Sequence, residues 1–422
     1  MDETLSYNKE TINWGYLLGY FVLFLVLPPV IGLPFILYMV WIKNEPKYGD
    51  YLLLMACIAI YMGAINATKQ PSGDQVNYYV AYMNVPVLGF LKSLIYIYGA
   101  DYYVDSGKVN ISGEFMNGVY NYFGYYLTFG YYPLFAALYT FVEYLMIYLG
   151  LYKVFRKAQM PKYPIVCGVL TLSFFYLFFQ YTLQIQKQFF AQAIMMYVLG
   201  SYAEKGKMTI KLWLIALCSI LTHASTGLFL PFLLLKPLRG RLTKKWMLFL
   251  AMMLLGFVLY GPRMAENVAS DNSGVAGYGM KRFAESEGQS DSAGQLVMSQ
   301  VLVIAVPMFL IVFRQLWLKR NLVIDKAQAY ILNIILLLLL AVASMYSKPL
   351  AQYRYFMMLL AFMPFVYPYI STKIVRRNLW LMLIACTMIV WFYYQFSSII
   401  WVYAPEWQIV AYPPAALIYR GF

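Results

Sequence analysis

The chain is poor in charge. Only 12% of its 422 residues are Asp, Glu, Lys or Arg, while 62% are hydrophobic, and an ordinary soluble domain carries about 25% charged residues. A soluble core cannot absorb that much apolar surface. Histidine is scarcer still, with His223 the sole example among 422 residues. The four cysteines, Cys57, Cys167, Cys218 and Cys386, all fall inside apolar runs without metal-ligand spacing, so buried free thiols are expected. A P-loop, an HExxH pair, a paired-cysteine metal site and a GxSxG elbow are lacking, which excludes a nucleotide motor, a zinc enzyme and an ordinary esterase. No acidic cluster calls for a divalent metal, and no cofactor is expected.

What the chain has is length without charge. Apolar runs at 16–42, 50–66, 296–313 and 378–402 approach or exceed the roughly 20 residues needed to cross a bilayer. The expected fold class is an all-α polytopic membrane protein of about 11 to 12 transmembrane segments, one integral membrane domain over 1–422. The first run follows Met1-Asp2-Glu3-Thr4, which has no basic n-region or evident cleavage site, so a retained helix kinked at Pro28-Pro29 and Pro34 is expected.

Net charge is +14, yet the basic residues form short clusters between apolar runs, which points to topology and away from nucleic acid. Lys43/Lys47, Lys153–Lys162, Lys205–Lys211, Lys236–Lys245, Arg314–Lys326 and Lys373–Arg377 hold 21 of the 32 Lys and Arg, with only Glu45, Asp50, Glu204 and Asp325 as acids. By the positive-inside rule that side is cytoplasmic, and the segments at 67–118 and 262–295 become long outer loops. The first includes an apolar stretch, Val85–Ile97, suited to lying along the membrane surface. The second is rich in Gly, Ser, Asp and Glu.

Residues 208–235 lie between two basic clusters but are too few for two spans, which need about 40 residues. A broken or re-entrant helix pair resolves this, with the break at Thr222-His223-Ala224-Ser225-Thr226-Gly227. Open backbone at membrane depth is tolerated only against protein or an aqueous cavity, so His223 is a candidate cavity residue, although a lone histidine is commonly a structural hydrogen bonder. Lys187, within Gln184-Ile-Gln-Lys-Gln188, sits at the outer junction of two helices. A snorkelling lysine is the plain alternative, but flanking amides such as Gln184 and Gln188 favour a polar pocket. Arg354, in Tyr353-Arg354-Tyr355-Phe356, is expected at a helix start, where a cation opposes the helix dipole unless an anion compensates; Tyr355 would share its cavity. Asp74, in Gly73-Asp74-Gln75-Val-Asn-Tyr78, is the acid nearest the outer end of the second crossing. Glu143, inside a helix, is expected neutral, paired or cavity-facing. The 42 tyrosines could stack on sugars or mark membrane interfaces.

The order of these elements resembles the EpsG-like, Wzy-type polymerases of bacterial surface polysaccharides. The likeness runs through Gly73-Asp74…Tyr78, Lys187-Gln188-Phe-Phe-Ala191, Leu221-Thr-His223-Ala-Ser225 before Pro231, and Arg354-Tyr355-Phe356, over roughly 1–375. Lys187 stands where that family typically has arginine. The resemblance implies a GT-C-like glycosyltransferase bundle in the bacterial cytoplasmic membrane, with its active site facing outward. It implies transfer of a growing glycan from one polyprenyl diphosphate to a sugar on another polyprenyl-linked oligosaccharide, with membrane lipid and a chain-length regulator protein as further partners. Lys187 and Arg354 would bind diphosphate without a metal, and His223 or Asp74 would act as catalytic base. The main competing reading is a lipid-linked oligosaccharide flippase or other secondary transporter, which also uses broken helices, though no two-half repeat is seen. An O-antigen-ligase-like transferase, a membrane acyltransferase and a structural scaffold are the remaining readings.

Overall fold

The computed structural model describes residues 12–95, 115–253, 255–256, 260, 291–318, 324–345, 349–396 and 402–421. Among them there are helices and no strands, as a chain that must satisfy its own backbone in lipid requires. The protein is an all-α polytopic membrane protein. Five described helices are long and apolar enough to cross a membrane: Tyr48–Ala67, Tyr132–Lys157, Val301–Leu318, Lys326–Ser344 and Ile374–Phe396. The expected outer loop at 262–295 lies almost wholly outside the described residues.

Contacts divide the chain into two compact units. The first comprises 1–70, 131–145 and 393–422. It opens with α1 (Trp14–Val26) and α2 (Pro29–Trp41), so the first apolar run is two helices and not one kinked helix. Leu27 turns extended, and Pro29 takes the first helical position, where its missing N–H costs nothing. Pro34 stays inside α2. Next, α3 (Tyr48–Ala67) starts on a cap in which the Asp50 carboxylate accepts the Lys47 N–H at 2.8 Å and pairs with the Lys43 ammonium.

Almost every side chain of α3 is buried. Gly63 lets the helix approach the backbone of Ala137, where any Cβ would collide with a carbonyl, a small-residue contact common between membrane helices. At its far end the C-terminal segment is laced on: Gln70 N–H donates to Val402 at 2.9 Å, and Ala404 N–H donates to Thr68 Oγ1 at 3.2 Å. Glu143 is 1% exposed, and neither carboxyl oxygen has a hydrogen-bond partner among the described residues.

The second unit comprises 71–130 and 146–392. The described residues of the stretch 67–118 are largely helical: α4 (Asp74–Met83), α5 (Val85–Ile95, kinked at Gly89) and the start of α6 (Met116–Leu127). Then the part of α7 (Tyr132–Lys157) from 146 onward leads to α8 (Lys162–Ser173), the single turn α9 (Tyr176–Phe179), and α10 (Gln186–Lys205). Next come α11 (Ile210–Thr222), a tight 3-10 stretch Ala224–Phe229, and α12 (Leu230–Leu234). After a helical stretch at 244–253, the unit closes with α13 (Asp291–Phe313), α14 (Lys326–Ser344), α15 (Pro349–Leu360) and most of α16 (Ile374–Phe396).

The centre of this unit is α10, buried from Gln186 to Tyr202 except at Tyr197. It crosses α7 at Gly150 and Gly200, each of which would strike the other helix's backbone if it carried a Cβ. At the basic end, arginines close helix and turn carbonyls: Arg241 donates to Gln315 O and Arg314 to Tyr369 O, both at 2.6 Å. Lys153 and Glu204 form an ion pair at 2.9 Å. All four cysteines are free, but only Cys57 and Cys167 are buried; Cys386 is exposed. The correction has a simple cause, since the exposed surface of an apolar spanning helix faces lipid and tolerates a thiol as a core does.

Candidate functional site

The first turns of α10 carry the densest polar sequence in the protein's interior. Gln186, Lys187, Gln188 and Gln192 are exposed by 2% or less. The N-cap residue Ile185 offers no side-chain acceptor to the first-turn N–H groups, so the positive end of a 20-residue helix and the Lys187 ammonium coincide. Both favour an anion.

Three other elements are tied to this helix start. Gln184 accepts the Asp74 N–H and donates to the Ser72 carbonyl, both at 2.9 Å, the amide orientation that satisfies both partners. It therefore supplies the cap that α4 lacks, since the N-cap of α4 is Gly73. Gly73 sits at φ 53°, and a Cβ there would collide with the Gln184 amide; glycine is the residue that fits both demands. The backbone of Asp74 is thus fixed while its side chain stays exposed.

The second tie runs to α15. Gln188 donates to the Arg354 carbonyl at 2.9 Å, and one turn on Gln192 donates to the Met358 carbonyl at 2.7 Å. Met358 lies in the last turn of α15, where carbonyls have no intrahelical partner. The Tyr181 and Tyr353 rings meet edge to face at 5.3 Å. Helix α15 begins at Pro349, so Arg354 lies in its second turn and not at its start, and the expected conflict with the helix dipole, which fades beyond the first turn, is weaker. Proline supplies the reason, being favoured at the first helical position. Arg354 and Tyr355 are both half-buried.

The third tie holds the chain break at His223. Helix α11 stops at Thr222, and His223 is extended (φ −155°, ψ 124°) before the 3-10 stretch. Ser219 donates to the Ala191 carbonyl of α10 at 2.7 Å, and Thr226 closes the turn onto the His223 carbonyl at 3.0 Å. Tyr120 of α6 reaches Thr222 at 3.1 Å while its ring packs 4.8 Å from that of Phe190. His223 itself is half-buried. Its Nδ1 lies 2.7 Å from Ser225 Oγ and accepts the Ser225 N–H at 3.3 Å. A nitrogen that accepts a backbone N–H carries no proton of its own, so the neutral ring holds its proton on Nε2.

One helix start therefore gathers the elements that bear Asp74, Lys187, His223 and Arg354, with Gln184 and Gln188 as the fastenings. The family described as EpsG matches residues 95–412, more than half of the chain. The chain belongs to the EpsG family. EpsG proteins are a Wzy-like polysaccharide polymerase family. No curated protein and no solved structure matches the chain. Lys187, His223 and Arg354 lie within the EpsG match, while Gly73 and Asp74 precede it.

Several polar residues of this EpsG unit were not singled out by sequence: Gln192, Ser219, Tyr120, Asn117 and Asn121. The signal for the last two was their i, i+4 spacing, which puts both on one helix face.

Proposed function

We propose that the protein joins polyprenyl-diphosphate-linked oligosaccharide repeats into a surface polysaccharide at the outer face of the bacterial cytoplasmic membrane. The observation that carries this reading is the fastening of the Asp74, His223 and Arg354 elements to the helix start that holds Lys187. Cleaving a glycosyl diphosphate develops charge on the departing phosphate, and preorganised cations and helix N–H groups stabilise it. Lys187, the start of α10 and Arg354 are assigned that role. With a proton on Nε2, His223 is a donor, suited to hydrogen-bonding the leaving diphosphate. The exposed Asp74 carboxylate is then the group to take the acceptor hydroxyl's proton. The nearest competitor, a lipid-linked oligosaccharide transporter, would use the same cations to hold the diphosphate without breaking the glycosyl bond.

The test is a glycan ladder from the host after gene deletion and complementation. Expected is a collapse to single repeats, restored by wild type and not by Lys187→Ala, His223→Ala, Arg354→Ala or Asp74→Asn. Long chains persisting after deletion would end the polymerase reading. Loss of all surface glycan, with repeats held inside the cell, would move the assignment to the transporter.

A further inference from the structure

Helix α6 is built inside out. Its exposed positions are aromatic or aliphatic, Phe123 at 62%, Tyr126 at 53% and Leu127 at 69%, whereas Asn117 and Asn121 are 4% and 2% exposed. A helix in water shows the reverse pattern. Here the apolar face suits lipid, and the buried face is the polar one.

The buried amides are not explained by packing. Each Oδ1 is shielded and accepts no hydrogen bond among the described residues, which native proteins rarely permit without a reason. The stripe they occupy is defined at two points. Tyr120, beside Asn121, touches Thr222 and Phe190 at the His223 break and the start of α10. Further along, Thr128 bonds Tyr82 of α4 at 2.5 Å. On the neighbouring face Gly118 lies directly against the backbone of Ser93 and Leu94 in α5. The amides thus stand within one turn of a ring that contacts the proposed reaction centre. Two primary amides and no acid on that stripe fit neutral polar groups, and an adjacent tyrosine ring fits a sugar face.

We infer that Asn117 and Asn121 form a saccharide subsite, hydrogen-bonding hydroxyl or acetamido groups of the repeat unit held beside the transferred bond. The inference rests on the polymerase reading and adds to it the part of the substrate that is read.

The test uses purified full-length protein in nanodiscs, with repeat-bearing polyprenyl diphosphate from the host and, as control, undecaprenyl diphosphate without sugar. Asn117→Leu and Asn121→Leu delete the amides while keeping the branching and heavy-atom count of the side chain. Because a buried unpaired carbonyl is removed, thermal midpoints should hold or rise. KM for the sugar-bearing lipid should increase about three- to tenfold per amide, and the extra thermal shift given by that lipid over the bare diphosphate should shrink. Unchanged KM and unchanged sugar-dependent shift would overturn the subsite, as would a fall in midpoint with KM intact, which marks a structural role. A wild-type protein that polymerises nothing and responds equally to both lipids would overturn the polymerase reading and the subsite together.

Discussion

At the residue scale, position 73 is constrained by its backbone and by a neighbour at once. A Cβ there meets the Gln184 amide, and a backbone at φ 53°, ψ −132° costs a non-glycine residue about 1–3 kcal/mol before any collision. Gly73→Ala should retain membrane expression yet shorten the glycan ladder severely; a wild-type ladder would show that the Gly73–Gln184 contact is dispensable. Lys69, beyond the end of α3, allows a pH test. Its ammonium is buried, 5.9 Å from the centre of the Tyr403 ring, and burial lowers its pKa to about 7, against about 10.4 for an unfolded lysine. Between those values the unfolded chain holds a proton that the fold does not, so stability should rise from about pH 7 to about pH 10. The Lys69→Met protein should lose that rise in detergent melting curves. The sequence marked Gln184 and Gln188 as cavity residues from their clustering. That each fastens a distant backbone, at Asp74 and at Arg354, was not legible, because both contacts join segments far apart in the chain.

At the element scale, α10 is held by amides and α7 by glycines. Gln192 satisfies the Met358 carbonyl inside the protein, and leaving a buried carbonyl unpaired costs about 1–3 kcal/mol. Gln192→Leu should therefore lower the thermal midpoint with modest loss of activity. Gln188→Leu should reduce activity more than stability, because it releases the backbone of Arg354. Equal effects of the two would separate Gln188 from the site. At the α7–α10 crossing, Gly200→Leu should abolish accumulation of folded protein, since the obstacle is the Gly150 backbone and not a side chain that can swing away; size-exclusion chromatography after mild solubilisation reads this directly. Long apolar periods made most of these helices legible, and the shortage of residues between two basic clusters located the interruption at Thr222–His223. The splitting of 163–181 into α8, α9 and tight turns was not, because aromatic residues there suit a membrane helix equally well.

At the scale of the molecule, charge carries the expected orientation. The basic clusters predict one orientation, which cysteine labelling in a cysteine-free background tests: Gln159→Cys and Lys207→Cys should react only from the cytoplasm, and Ser72→Cys only from outside. The opposite pattern would invert the proposed orientation and put the reaction centre on the wrong face. The number of crossings is harder to read, since length is the criterion for a span and several described helices, among them α11 and α15, are short. The amide fastening of α15 has a further consequence. Neutral glutamines hold the Arg354 backbone, so the charge and its mounting belong to different residues. Arg354 can then be exchanged for another side chain without breaking the hydrogen bonds that seat α15 against α10, because those bonds end on its backbone.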